Sequence, residues 1–249
     1  MSVSKLTFLG SGDAFGSGGR LQTCMHVTTK EKGSFLIDCG STAMIGIRKF
    51  SINPNDITNI FISHLHGDHF AGIPFFILDA QLVSKRVEPL HIFAPKGSTE
   101  KIKLIMETLF PGSFESQKKF AIEITEMLPM QTYTASNALV TAYAVEHSGL
   151  NALALRFECD EKIVSYSGDT QWVDALIDCG SEADLFIVEA YYYDRKVKFH
   201  LDFASLLENK EKIAAKKYLF THMNTDMLNK LNNELKEYTC AYDGMVVTI

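Results

Sequence analysis

Directly after the short apolar stretch 59–63 the chain reads His64-Leu65-His66-Gly67-Asp68-His69. Three imidazoles and a carboxylate within six residues are costly to bury unless something positive pairs with them. These groups are the ligands that zinc, manganese and iron accept. A solvated polar turn would more often use Gly, Asn and Ser. The segment therefore demands a fold that delivers this loop to a point where further ligands converge. Three other residues stand in matching contexts. His147 ends the expected strand 139–146, Asp169 follows the expected strand 162–167 within Ser167-Gly168-Asp169-Thr170, and His222 ends the expected strand 218–221. One sheet edge could gather all three beside the histidine loop. His26 and His91 lie within or at the start of ordinary strands and read as structural.

Alternation and turn signals give strands at 5–9, 23–29, 34–39 and 59–63, then 90–94, 120–125, 139–146, 152–158, 162–167, 185–188, 218–221 and 245–249. Residues 30–33 read as the turn of a hairpin. Helices are expected at 42–51, 70–84, 101–110, 171–179, 203–215 and 225–236. In the third, Ile102, Ile105, Met106 and Leu109 share one face. Hairpins of buried strands with helices outside them point to two mixed sheets packed face to face. That is an α/β (α+β) fold, a four-layer αββα sandwich. No repeat, low-complexity tract or linker divides the sequence, so residues 1–249 read as one domain. The glycine-rich loop after the first strand, Gly10-Ser11-Gly12, lacks the third glycine and the following helix that a dinucleotide-binding fingerprint requires.

Composition narrows the function. The net charge of −6 and the balance of 24 Lys and Arg against 30 Asp and Glu disfavour an extended nucleic acid or an anionic membrane as partner. No apolar run approaches the ~20 residues that cross a bilayer, and 70–78 is broken by Gly72 and Pro74. The N-terminal segment lacks the basic-then-apolar layout of a signal peptide. The five cysteines are widely spaced, with no Cys-x-x-Cys, which suits a reducing cytoplasm better than a disulfide framework.

Taken together, Leu9-Gly10-Ser11-Gly12-Asp13-Ala14, Leu36-Ile37-Asp38-Cys39-Gly40, the segment from Ile62 to Pro74, Ser167-Gly168-Asp169-Thr170 and Thr221-His222 resemble the signatures of the metallo-β-lactamase superfamily. The resemblance covers nearly the whole chain. It implies two divalent metal ions, zinc first, with manganese or iron as alternatives. His64, His66 and His147 would hold one ion and Asp68, His69 and His222 the other, with Asp169 bridging. A bridging hydroxide would then exist near neutrality. Glu189-Ala190-Tyr191 and Phe199-His200-Leu201-Asp202 resemble the Glu/His pair of the phosphodiesterase branch, including the tRNA 3′-processing endonucleases. There the histidine protonates the leaving oxygen and the glutamate orients it. Asp68, Glu189 and His200 form the expected catalytic set.

The branch is narrowed by position. Zinc β-lactamases typically carry Cys where Asp169 stands, and di-iron oxygen reductases generally carry Glu in place of His66. Glyoxalase-type thioesterases carry a Thr/Gly-rich motif that Glu146-His147-Ser148-Gly149 does not match. The tRNA-processing enzymes usually insert a long exosite arm between the second histidine and the bridging aspartate. Here His147 and Asp169 are too close in sequence to enclose one. The acidic balance agrees, so the expected substrate is a small anionic phosphodiester such as a cyclic nucleotide. The alternatives are a tRNA 3′-processing-type endoribonuclease and a lactone or carboxylic-ester hydrolase on the same metal site. Tyr191–Tyr193, Phe75 and Trp172 are candidates for a stacking wall. Many relatives dimerise beside the cleft, and the Tyr191–Tyr193 cluster could serve a homodimer.

Overall fold

The computed structural model describes residues 4–30, 33–135 and 138–249. Its strands run β1 (Lys5–Gly10), β2 (Cys24–Thr28), β3 (Ser34–Ile37), β4 (Ile57–Phe61), β5 (Leu90–Pro95), β6 (Ile122–Met127), β7 (Thr132–Ala135), β8 (Ala138–Ala144), β9 (Leu153–Cys159), β10 (Lys162–Tyr166), β11 (Leu185–Glu189), β12 (Tyr218–Thr221) and β13 (Val246–Thr248). One sheet is ordered β13-β1-β2-β3-β4-β5-β6 and the other β12-β11-β10-β9-β8-β7. The α-helices are α1 (Ala43–Lys49), α2 (Gly67–Phe70), α3 (Ile73–Leu82), α4 (Ser98–Leu109), α5 (Ala175–Gly180), α6 (Phe203–Ile213) and α7 (Thr225–Leu228).

Alternation along the strands builds three apolar layers. Phe8, Met25, Phe35 and Phe61 of the first sheet meet Leu155, Phe157, Val164 and Ile187 of the second. The opposite face of the first sheet, with Leu36, Ile60 and Ile92, carries Ile47 of α1, Phe76 and Ile77 of α3 and Ile102 and Met106 of α4. The outer face of the second sheet, with Phe186, Val188 and Phe220, carries Leu176 of α5 and Leu206 of α6. This is the αββα sandwich anticipated from the sequence. Each buried Phe or Leu contributes roughly 1.5–3 kcal/mol, so all three layers contribute to stability on a similar scale.

The topology sets the site. β10, β11 and β12 are mutually parallel, and β8 runs with β10 because each is antiparallel to β9. The C-terminal ends of β8, β10, β11 and β12 therefore lie on one edge. β4, parallel to β3 and β5, delivers the histidine loop. A hydrogen bond from the Leu153 amide to the Ser63 carbonyl (2.9 Å) ties the two sheets together there.

Local differences from the expected elements have identifiable causes. The helix expected at 70–84 is two pieces, because the chain must bend at Gly72. Its amide donates to the Cys39 carbonyl (2.8 Å), and a Cβ there would lie 2.2 Å from the Gly40 carbonyl oxygen. The helix expected at 225–236 stops after α7, where Asn229, Asn232 and Asn233 compete for the backbone. The helix at 171–179 starts later, at Ala175, and Leu109 of α4 is 44% exposed, so its apolar face is narrower than the periodicity suggests. Strand β7 was not anticipated and pairs antiparallel with β8. Part of the 30–33 turn lies outside the described residues, but the hairpin it joins, β2 with β3, is antiparallel as expected.

Arg86 is 2% exposed, and its guanidinium donates to the carbonyls of Glu88, Pro54, Ile57 and Pro89 at 2.6–3.2 Å. Arg86→Ala strips four carbonyls of a charged donor. The expected loss is about 3 kcal/mol or more, read as a lowered urea midpoint. Arg86→Lys should recover only part of it, because an ammonium cannot span the fork.

Candidate metal centre

Seven expected ligands converge at the strand ends. His64, His66 and His147 form one group and Asp68, His69, Asp169 and His222 a second, with ligand atoms inside each group within 4.8 Å of one another. In the second, Asp68 Oδ2 is 3.2 Å from His69 Nε2 and 3.1 Å from His222 Nε2. Asp169 Oδ2 is 3.3 Å from each of those nitrogens, and 3.9 and 4.0 Å from Nε2 of His64 and His147. Asp169 Oδ2 thus lies within 4.0 Å of imidazole nitrogens of both groups.

The spacings suit a cation. Ligand atoms ~2.0–2.1 Å from a tetrahedral zinc stand ~3.3 Å apart, close to the values in the second group. His147 Nε2 and His66 Nδ1 face each other at 2.9 Å. His64 Nε2 and Asp169 Oδ1 are buried with no hydrogen-bond partner among the described residues, an arrangement that costs stability unless an ion satisfies it. The buried His/Asp cluster fits a divalent metal site.

Surrounding groups fix the ring orientations. His69 Nδ1 is 2.7 Å from Asp38 Oδ2, and His147 Nδ1 is 2.7 Å from the Phe199 carbonyl. His64 Nδ1 is 3.1 Å from Ser63 Oγ, whose own proton goes to Asp38 (2.9 Å). Each outward contact accepts an Nδ1 proton and turns Nε2 inward, the orientation metal-binding histidines need. Asp38 (φ 58°), Phe199 (φ 72°) and His222 (φ 55°) hold the left-handed backbone region, as do eight other non-glycine residues among those described; at Phe199 this conformation accompanies the carbonyl that meets His147. Gly168 (φ 59°), just before Asp169, leaves no room for a side chain: a Cβ would sit 2.7 Å from the Leu153 carbonyl oxygen.

Burial works against charge on His69 and His222, but Asp169 and Asp68 outweigh it, so His69 is raised well above its ordinary pKa and His222 to about 9. Asp68 and Asp169 are correspondingly held below the usual carboxylate range despite burial. Protons on these imidazoles occupy the role a cation would take. Metal uptake at pH 7 should therefore release protons, and affinity should rise as pH approaches 9. Calorimetry in buffers of different ionisation enthalpy reads the proton count. A pH-independent affinity between pH 6 and 9 would contradict the linkage.

Glu189, at the end of β11, is fully buried. Its Oε1 accepts from the Thr170 amide, and its Oε2 lies 2.9 Å from His200 Nδ1. Burial and Asp169 push the Glu189 carboxyl up, and His200 pulls it back. Burial lowers His200, but the charge and hydrogen bond of Glu189 overcome this and raise it. The His200 side chain is 23% exposed and stacks on Tyr191 (4.4 Å, 24°). Its Nε2 has no hydrogen-bond partner among the described residues.

All seven expected ligands and the Glu189–His200 pair are thus brought together. Of the proposed stacking residues, only Tyr191 reaches the centre. Tyr193 stacks on Phe203 (5.5 Å), Trp172 packs on the outer helical layer, and Phe75 is edge-on to Phe110. His26 is buried with its pKa lowered to about 4, and His91 faces Glu123 at 3.5 Å, so neither joins the site. Asp38, Ser63 and the Phe199 carbonyl were not anticipated as positioning groups. Asp38 had a signal, a lone carboxylate at the end of an apolar run.

Comparisons place this geometry among known proteins. The metallo-β-lactamase fold protein YhfI from Bacillus subtilis superposes with a TM-score of 0.82 at 21% identity, covering 99% of this chain and all of that one. Human tRNase Z, short form, superposes at 0.80 with 24% identity, covering 98% and 99%. These likenesses show the fold. Ribonuclease Z of Methanococcus maripaludis (strain C7) is 36% identical over 156 residues, 62% of this chain and 48% of that protein. Ribonuclease BN of Escherichia coli O7:K1 is 33% identical over 132 residues, 53% and 41% respectively. The matches span about half the length of these curated relatives or less. The family described as anti-Pycsar protein Apyc1 matches residues 4–242, and the chain belongs to that family.

Proposed function

We propose that this chain is a binuclear metal-dependent hydrolase of phosphodiesters, acting on a small anionic substrate such as a cyclic nucleotide. The observation that carries the reading is Asp169 Oδ2 facing both ligand groups, with His200 tethered to Glu189 beside them. His64, His66 and His147 would hold one ion and Asp68, His69 and His222 the second, Asp169 serving both; zinc suits the His/Asp donor set best. When bound, such ions polarise the phosphoryl oxygens and bring a water to a usable pKa near neutrality.

The chain's own residues supply the rest. Glu189 accepts the Nδ1 proton of His200 and stabilises the imidazolium, so Nε2 carries the proton that the departing oxygen needs. The Thr170 amide holds the glutamate, and the stacked Tyr191 ring limits rotation of His200. Asp68, in the catalytic set, fixes His69 and His222 through its Oδ2. The family is named for opposing Pycsar, and hydrolysis of a small phosphodiester is the chemistry this chain would bring to it.

The tRNA 3′-processing reading draws support from the ribonuclease Z relatives. The acidic balance of the chain weighs against it. Side-by-side turnover of cyclic nucleotides, bis(p-nitrophenyl) phosphate, a lactone and ester panel and a precursor tRNA separates the readings. Faster cleavage of precursor tRNA than of any small phosphodiester overturns the preferred one, as does ester turnover without phosphodiester turnover.

A further inference from the structure

The segment Tyr191–His200 joins the strand end bearing Glu189 to the proposed proton donor. It reads Tyr-Tyr-Tyr-Asp-Arg-Lys-Val-Lys-Phe-His. Within an acidic chain it carries Arg195, Lys196 and Lys198 against a single carboxylate, Asp194, and all four are exposed. From the packing and hydrogen bonds of this segment we infer that its three cations form a capture rim that draws anionic substrates to the metal centre and favours those of higher negative charge. The inference rests on the phosphodiesterase reading and adds a specificity element to it.

The rim is anchored to the reacting groups. The Phe199 carbonyl accepts from His147, the Phe199 amide donates to Gln171 Oε1 at 3.3 Å, and Val197 bridges back to His200. A ladder of rings runs outward from the proton donor. His200 stacks on Tyr191 at 4.4 Å, Tyr191 meets Tyr192 edge-on at 5.0 Å, and the Arg195 guanidinium lies 5.0 Å from the Tyr192 ring centre. The guanidinium thus stands two rings from His200. The Debye length is about 8–10 Å at physiological salt, so these exposed cations act on a ligand that comes within that reach of the segment itself, and reach further at low salt. Among the described residues none of the three cations forms an ion pair. Charges beside the segment include Asp226, which accepts from the Tyr193 amide at 3.3 Å, Lys230, which is occupied by Glu234 at 2.9 Å, Asp202, which bridges to Tyr192 and caps α6, and Asp13, which acts on Tyr191. Asp194 and Asp226 offset part of this charge, and among the described residues neither stands in ion-pair contact with the three cations.

Attraction of this kind raises the capture rate of an anion and leaves the chemical step alone, and it scales with ligand charge and fades with salt. The test compares the zinc-loaded chain with Arg195→Gln/Lys196→Gln/Lys198→Gln. Substrates are a cyclic mononucleotide with one negative charge and a 5′-phosphorylated dinucleotide with about three. Stopped-flow association of a fluorescent analogue of each gives a readout separate from turnover. At low salt the variant should lose roughly 3-fold in kcat/KM and association rate for the first and roughly 10-fold or more for the second. The changes should fall in KM with metal content constant, and most of the difference should vanish near 0.5 M salt. Asp194→Asn should move both rates the other way. Equal losses on both substrates, losses that survive high salt, or no loss at all would overturn the rim. Absence of phosphodiester turnover in the unaltered chain would instead overturn the underlying reading.

Discussion

Asp169→Ala is expected to leave the chain folded but to remove bound metal from both halves of the centre, and kcat/KM with it. Every other ligand belongs to one group, whereas Asp169 Oδ2 stands within 4.0 Å of imidazole nitrogens from both. Two divalent ions held ~3.5–4 Å apart repel each other, and a shared carboxylate offsets that repulsion. Removal of one preorganised electrostatic group already costs about 10²–10³ in rate, so the loss should be on the order of 10³-fold or more. Asp169→Asn keeps the shape and removes the charge, and it should lose most of the same activity. Elemental analysis with circular dichroism separates loss of metal from loss of fold. Activity within tenfold of the unaltered chain, with two ions retained, would contradict the bridging role.

His200→Ala should give the second large effect, with a different signature. His200 touches Glu189, Tyr191 and the edge of His147, and its Nδ1 is committed to the glutamate. Loss of a positioned general acid costs about 10²–10⁴ in kcat, and metal content should stay constant. The deficit should shrink for substrates whose leaving group needs no proton, such as p-nitrophenolate. Glu189→Gln should produce a smaller fall in kcat and lower the pH at which His200 loses its proton, since the carboxylate is what raises that pKa. A uniform loss across leaving groups, or loss of metal, would assign His200 to structure instead.

How much of this could be read from the chain follows from what kind of atom does the work. The ligands were legible because imidazole and carboxylate have few other reasons to cluster at strand ends, and 64–69 is dense enough to stand out. The layer order was legible because alternating strands need two apolar faces. The supports behind the ligands were harder. Phe199 acts through a carbonyl presented by a left-handed backbone, which its side chain does not announce. Ser63 acts as a relay between His64 and Asp38, a role any strand-end serine would hide. Helix ends at 70–84 and 225–236 differ from the expectation because apolar spacing does not register a glycine pressed against Gly40 or a run of asparagines.

The central claim is that this geometry hydrolyses phosphodiesters through bound divalent metal. The most direct measurement is turnover of bis(p-nitrophenyl) phosphate and a cyclic nucleotide by the purified chain, first stripped with chelator and then titrated with zinc or manganese. Turnover is expected to be absent when stripped and to recover on titration, saturating at two ions per chain. Chelator-resistant turnover, or a fully metal-loaded chain that cleaves neither substrate, would contradict it.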